Sequence, residues 1–399
     1  MLDRRGVRDS VLLSSFGLWV LLPGVAQLCG YSTVEDIPTV ELREPAAAPA
    51  FPESLEQWRS LPAAAEAYLD DHFGLRLPLG RLHSTLLAAL GTSASDHVLL
   101  GSEGWLYLSK GRFLDEFRGT LPLPRKEIAA WIDGVSALHG TLEERGIAHL
   151  VTVIPDKWGV YPEHLPAWAR PQGPTRYSRL IEEMSRHPEI PFLDARARIL
   201  SEKADDDHRL FRKTDTHWTS RAALIAYLGI MDELAKQRPG LRPLPAEDVV
   251  VEHAAPDADG DLHRFLHSTP LFGESPYAVY GVDAAGHEVL DARILSGPTW
   301  RQASFGKASA TVWKTAYASN AANDLTVLVY ADSFTNPMTA FLIHTFSKVV
   351  MVRHQNATLD SEFIRAVEPD IVLVNLNERA LRPPPRLVSG TRRLERLHW

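Results

Sequence analysis

The chain has 399 residues, of which 45% are apolar and 23% charged, enough to bury a large core as one domain of about 330 residues or as two smaller ones. A formal net charge of −8 with no basic stripe argues against a nucleic-acid partner, since phosphate binding needs clustered Lys and Arg. The single cysteine, Cys29, excludes any intrachain disulfide.

In chain order, residues 1–10 carry Arg4, Arg5 and Arg8 and precede an uncharged apolar run from Val11 to Leu28. That run is about long enough to span a bilayer. The excess of arginine before it predicts a cytoplasmic N-terminus, a transmembrane anchor over 11–30 and export of everything after it. A cleavable signal peptide is the competing reading, because Pro23-Gly24-Val25-Ala26 offers small residues at a cleavage position. Cys29 then reads as a membrane-embedded thiol. Residues 31–55 form a linker, with Glu35 to Pro52 rich in Pro, Ala and Glu. Residues 56–399 form the folded domain.

Ser54 to Ala89 predicts two helical stretches. Asp70, Asp71 and His72 read there as a solvated helix end or a bridge to Arg76 rather than metal ligands. Further on, helices are predicted at Lys126 to Arg145, Ser178 to His187, Thr219 to Lys236, from Pro337 to Phe346, and at Ser361 to Val367. Strands are predicted at Ala148 to Ile154, Ile190 to Leu193, Asp324 to Tyr330, Lys348 to Val352 and Asp370 to Val374. This alternation implies an α/β fold, a parallel sheet covered by helices on both faces. The stretch from Arg238 to Asn323 shows no clear pattern. Within it, Asp257 to Asp261 departs from a calcium loop because its glycine falls too early, and His263 with His267 lacks the third ligand of a zinc site. No metal and no cofactor is expected.

Three groups carry the chemistry. Asp215 and His217, two residues apart in an extended segment, face the same way, so the carboxylate reaches one imidazole nitrogen and leaves the other free. Ser333 follows a buried strand and precedes a helix, where backbone N–H groups serve an oxyanion. Carboxylate, imidazole and hydroxyl together make an acyl-accepting triad. Lys157 and Tyr161, and likewise Asn375, Asn377 and Arg379, follow strand ends and are candidates to bind the acyl oxygen or substrate. Glu378 and Arg379 are equally readable as a structural ion pair. Trp105, Trp158 and Trp218 are either a stacking surface for sugar rings or core filler.

Asp215-Thr-His-Trp-Thr219 and Asp332-Ser333-Phe334 resemble motifs of the SGNH-hydrolase-like O-acetyltransferases of exopolysaccharide secretion, the alginate O-acetyltransferase AlgJ/AlgX type. Gly101-Ser-Glu-Gly-Trp-Leu-Tyr107, Ile154-Pro-Asp-Lys157, Gly260-Asp261-Leu262 and Glu378-Arg379 agree with that pattern. The resemblance covers roughly residues 56 to 385, with Ala331 where the family motif carries glycine. The motif order is permuted relative to ordinary SGNH esterases, serine last. The resemblance implies Ser333 as nucleophile, His217 as base and Asp215 as its partner. It also implies acetyl transfer to a secreted polysaccharide by a protein anchored in a bacterial inner membrane or free in the periplasm. Because acetyl-coenzyme A is cytoplasmic, a membrane-bound O-acyltransferase would donate the acetyl group, alongside other polysaccharide secretion proteins. The AlgX-type carbohydrate-binding module is not expected here. A carbohydrate acetylesterase with the same triad and a non-catalytic scaffold of a secretion complex stand as alternatives.

Overall fold

The computed structural model describes residues 4–40, 43–121, 123–205, 209–253, 260–266, 290–294, 299–305, 314–353, 358–381, 384–388 and 397–398. The strands are β1 (Val98–Leu100), β2 (Leu106–Leu108), β3 (Ala148–Ile154), β4 (Phe192–Asp194), β5 (Val249–His253), β6 (Leu290–Ile294) and β7 (Trp300–Phe305). They continue with β8 (Lys314–Ser319), β9 (Asn323–Ala331), β10 (Phe346–Arg353), β11 (Thr358–Asp360), β12 (Ile371–Asn377), β13 (Arg386–Val388) and β14 (Leu397–His398).

Eight of them form one sheet in the order β14-β7-β8-β10-β9-β12-β3-β4. From β10 to β4 all neighbours are parallel. This half is the α/β core that the alternation predicted. Its strands are mostly apolar because both faces are covered, with polar residues such as Thr152, Thr326 and Asn375 among them. Val327 and Val329 of β9, Leu150 of β3 and Leu373 of β12 pack with helices Ala195–Asp205, Ser220–Gln237 and Thr339–Thr345. The alternate residues, Leu328, Val151 and Val372, pack with helices Arg125–Glu143, Arg176–Met184 and Ser361–Val367. The period-two alternation thus divides one set of strands between two core layers.

Beyond β10 the sheet continues as antiparallel β8, β7 and β14, and β5 pairs with β6 outside it. The stretch read as patternless therefore contributes strands, and so does the C-terminal tail. These segments, such as Trp300–Phe305 and Lys314–Ser319, mix polar and small residues. They lack the apolar run that marks a buried strand. Asp257, Asp259 and His267 lie outside the described residues, as does the side chain of His263.

At the N-terminus Arg4–Leu28 is a single helix. Among the described residues Arg8–Leu28 is the one segment long and apolar enough to cross a bilayer by length and composition. Cys29 is exposed directly after it. The stretch read as a linker includes a short helix, Ile37–Val40, and then folds back onto Asp71. Buried Asp71 accepts hydrogen bonds from the Arg43 guanidinium and the Ala46 N–H, each at 2.7 Å, with Arg76 3.9 Å away. The Arg43 contact holds the Asp71 carboxyl well below the usual carboxylate range. Asp71→Asn is expected to weaken this clasp by about 1.5–3 kcal/mol. Limited proteolysis near residues 44–52 checks it: the variant should be cut faster there, with the remainder of the domain as resistant as before.

Candidate functional site

β9 is apolar through Ala331, and the chain then turns on Asp332. The Asp332 carboxylate accepts the Phe334 N–H at 2.9 Å, capping a 3-10 turn over Ser333–Met338. It also accepts the Asn377 N–H at 2.7 Å, which ties the ends of β9 and β12 together. Ser333 is thereby set at the carboxyl edge of the parallel sheet, where α/β folds bind ligands. Among the described residues the only non-glycine positive φ values are at Glu103 and Glu368, so alanine at 331 takes an ordinary backbone conformation. The turn needs no glycine there.

Asp215 and His217 come from a loop pinched at its base. Phe211 bridges Trp218, and the Thr219 N–H bonds the Leu210 carbonyl at 2.9 Å. Thr219 then caps helix Ser220–Gln237 through its hydroxyl. Buried Trp218 donates its indole N–H to the Phe334 carbonyl at 2.9 Å, fastening this loop to the serine turn. The segment is a bend rather than extended, because Asp215 Oδ1 accepts the His217 backbone N–H at 2.8 Å as well as facing Nδ1 at 2.8 Å. Aspartate favours such local turns, bonding a backbone N–H two residues on.

The three groups meet. His217 Nε2 is 3.0 Å from Ser333 Oγ, on the side of the ring away from Asp215. Burial pushes the Asp215 carboxyl up, but the His217 ring and backbone N–H groups and the imidazole charge outweigh it and leave it at about 2. Asp215 is therefore a carboxylate at neutral pH, able to hold His217 with Nδ1 protonated and Nε2 facing the hydroxyl.

A further carboxylate, Asp261, closes the other side. It accepts the Thr216 N–H at 2.7 Å and the Thr216 hydroxyl at 2.6 Å, and its Oδ2 is 3.8 Å from His217 Nδ1. Asp215, His217 and Asp261 lie within 4.8 Å of one another, close enough to consider a cation. Yet their donors and acceptors are spent on each other and on Thr216 and Ser333, which favours a hydrogen-bonded site. Sequence reading passed over Asp261 as an individual residue. Gly260-Asp261-Leu262 was the available signal, but the contact spans 45 residues.

The strand-end candidates divide. Lys157 is buried and donates to the carbonyls of Arg212, Lys213 and Asp215 at 2.8, 2.9 and 2.6 Å, so its ammonium fills the loop from inside. Burial pulls it down to about 7, against the attraction of Asp215, Asp261 and Asp156. Buried Tyr161 stacks on Trp105 at 4.3 Å, and its hydroxyl takes the Leu210 N–H at 2.8 Å. Asn375 and Asn377 are buried beneath the turn, the first beside Thr335 and the second bonding the Ile154 carbonyl. Arg379 alone of the five stays partly open, at 23% exposure, its guanidinium 5.0 Å from the Phe334 ring. Glu378 and Arg379 do not pair with each other. Glu378 binds Arg196 at 2.6 Å, and Arg379 lies 2.8 Å from Asp156. Trp105, Trp158 and Trp218 are all core residues.

Residues 98–290 match the family described as SGNH hydrolase-like domain, acetyltransferase AlgX. The match includes Asp215, His217 and Asp261 and stops short of Ser333. The probable alginate O-acetylase AlgJ of Pseudomonas syringae pv. tomato is 29% identical over 224 residues, 52% of this chain and 51% of that protein. AlgJ of Pseudomonas aeruginosa is 29% identical over 217 residues, 53% and 51% of the two. AlgJ of Pseudomonas fluorescens is 27% identical over 281 residues, 66% and 59%. The chain spans about half the length of the first two of these relatives. Among solved structures, Bacillus cereus PatB1 aligns over 70% of this chain and 95% of its own at a TM-score of 0.49 and 14% identity, a level from which nothing is carried over.

Proposed function

We propose that this chain, an AlgJ-like protein with an SGNH hydrolase-like domain, is an exported O-acetyltransferase that carries acetyl groups on Ser333 to hydroxyls of a secreted polysaccharide. The carrying observation is the continuous path from Asp215 through His217 to Ser333, with contacts of 2.8 and 3.0 Å. Neutral His217 takes the hydroxyl proton as Ser333 Oγ attacks the acetyl carbonyl, and the imidazolium returns that proton to the departing donor. Acetyl-Ser333 remains. A sugar hydroxyl, deprotonated by the same imidazole, attacks it and leaves as the acetyl ester, restoring Ser333.

Oxyanion stabilisation falls to few groups, because the Phe334 and Thr335 N–H groups are already spent on Asp332. The Ser333 N–H and the Arg379 guanidinium are the donors we assign to the acyl oxygen or the sugar. In this reading the helix ending at Leu28 anchors the chain, residues 31–55 link it to the domain at 56–399, and a membrane-bound O-acyltransferase of the same secretion apparatus supplies the acetyl group.

The test is an acetyl adduct. Full-length protein in detergent, given p-nitrophenyl acetate, should gain one acetyl group on Ser333 by peptide mass spectrometry, and an unacetylated oligosaccharide should then collect it on a free hydroxyl. Product confined to free acetate at every acceptor concentration would make the protein an esterase and sink the transferase reading.

A further inference from the structure

We propose that Asp261 is a positioning residue serving His217 as a second carboxylate, fixing the peptide between Asp215 and His217 and adding negative charge beside the Nδ1 edge of the ring. The inference rests on the acetyl-serine reading of Ser333 and deepens it.

The junction is closely built. Gly260 passes so near Thr214 that an added Cβ would lie 2.3 Å from the Thr214 carbonyl oxygen, so only glycine lets the two backbones approach. The Leu262 N–H then bonds that same carbonyl at 3.1 Å, and the Leu262 side chain is buried with Leu106 and Leu266. Between these two fastenings Asp261 holds Thr216 by its backbone and its hydroxyl, and its own N–H is 3.3 Å from Asp215 Oδ2. Thr216 is buried, so its N–H has little water to fall back on. Losing Asp261 would free the one residue that separates the two members of the pair.

Its charge acts as well as its bonds. At 3.8 Å, Asp261 Oδ2 is outside hydrogen-bond range of Nδ1 but near enough to attract the positive charge the ring takes up when Ser333 gives up its proton. The other groups around the ring are Asp215 on the same loop, the Thr216 hydroxyl 3.2 Å from Nδ1, Ser333 and Phe334 on the serine turn, Arg379 on the Phe334 ring, and Lys157 behind Asp215. Arg379 and Lys157 are cations that disfavour imidazolium. Asp215 and Asp261 are the anions that oppose them.

The test separates anchoring from charge. In full-length protein, the p-nitrophenyl acetate burst should fall about tenfold in Asp261→Asn with KM little changed, and Asp261→Glu, which keeps the carboxylate, should recover most of that loss. Thr216→Val, which keeps the charge but takes the hydroxyl away from both Asp261 and Nδ1, should lower the burst with KM likewise unchanged. Amide hydrogen exchange at Thr216, followed by NMR with Ser333→Ala in both backgrounds, should be faster in Asp261→Asn without relying on turnover. Unchanged exchange, or a burst at the wild-type rate in Asp261→Asn, would overturn the proposal. A wild-type protein with no burst but with the faster exchange in Asp261→Asn would instead remove the acetyl-serine mechanism and keep Asp261.

Discussion

Ser333→Ala is expected to abolish the acetyl adduct and lower transfer by on the order of 10⁶-fold, while the denaturation midpoint stays near that of the unaltered protein. Its hydroxyl touches His217 and is not in the core, so its removal opens no cavity and strands no buried group. The loss should not compound. A hydroxyl and an imidazole that act as one unit give nearly the same deficit singly and together, so Ser333→Ala with His217→Ala should be about as inactive as either alone. Rates from the two single variants and the double variant decide this. Multiplying losses would mean that Ser333 and His217 serve separate steps.

Lys157→Met is the second large effect, and it should strike stability and rate together. The replacement fits the same volume but withdraws the donor from three carbonyls of the loop bearing Asp215 and His217. Destabilisation of about 2–4 kcal/mol is expected, read as a lower urea midpoint at unchanged slope. Displacing the pair by even a fraction of an ångström should cost a further ~10²-fold in adduct formation. If the variant unfolds earlier but the surviving folded protein acetylates at the normal rate, Lys157 supports the fold without placing the site.

The parts of the fold legible in the sequence were those whose environment is uniform along the segment. β3, β12 and the second half of β9 are buried on both faces and read as mostly apolar runs, and Ser361–Val367 opens with Asp360 as its cap. β7, β8 and β14 were not legible, because antiparallel strands towards a sheet edge need no such run. At the candidate site, the close pairing of Asp215 and His217 is local and could be reasoned from two residues. Convergence with Ser333 spans 116 residues, and it was anticipated from the strand-to-helix turn and the family resemblance. Lys157 shows the limit. A lysine after a strand end reads as a substrate contact, and only the tertiary fold reveals that backbone carbonyls 55 to 58 residues away consume its ammonium.

The clasp on Asp71 limits how far the domain can roam. If Leu28 leaves the bilayer, little free leash remains, because Arg43 is held to Asp71 and nearby Gly74 lies against Pro23 and Gln27 of the N-terminal helix, where an added Cβ would meet both backbones at 2.9 Å. Ser333 would then patrol a shallow zone close to the lipid surface. It could be loaded by a neighbour in the same membrane, while polymer emerging farther out would have to be brought back to it.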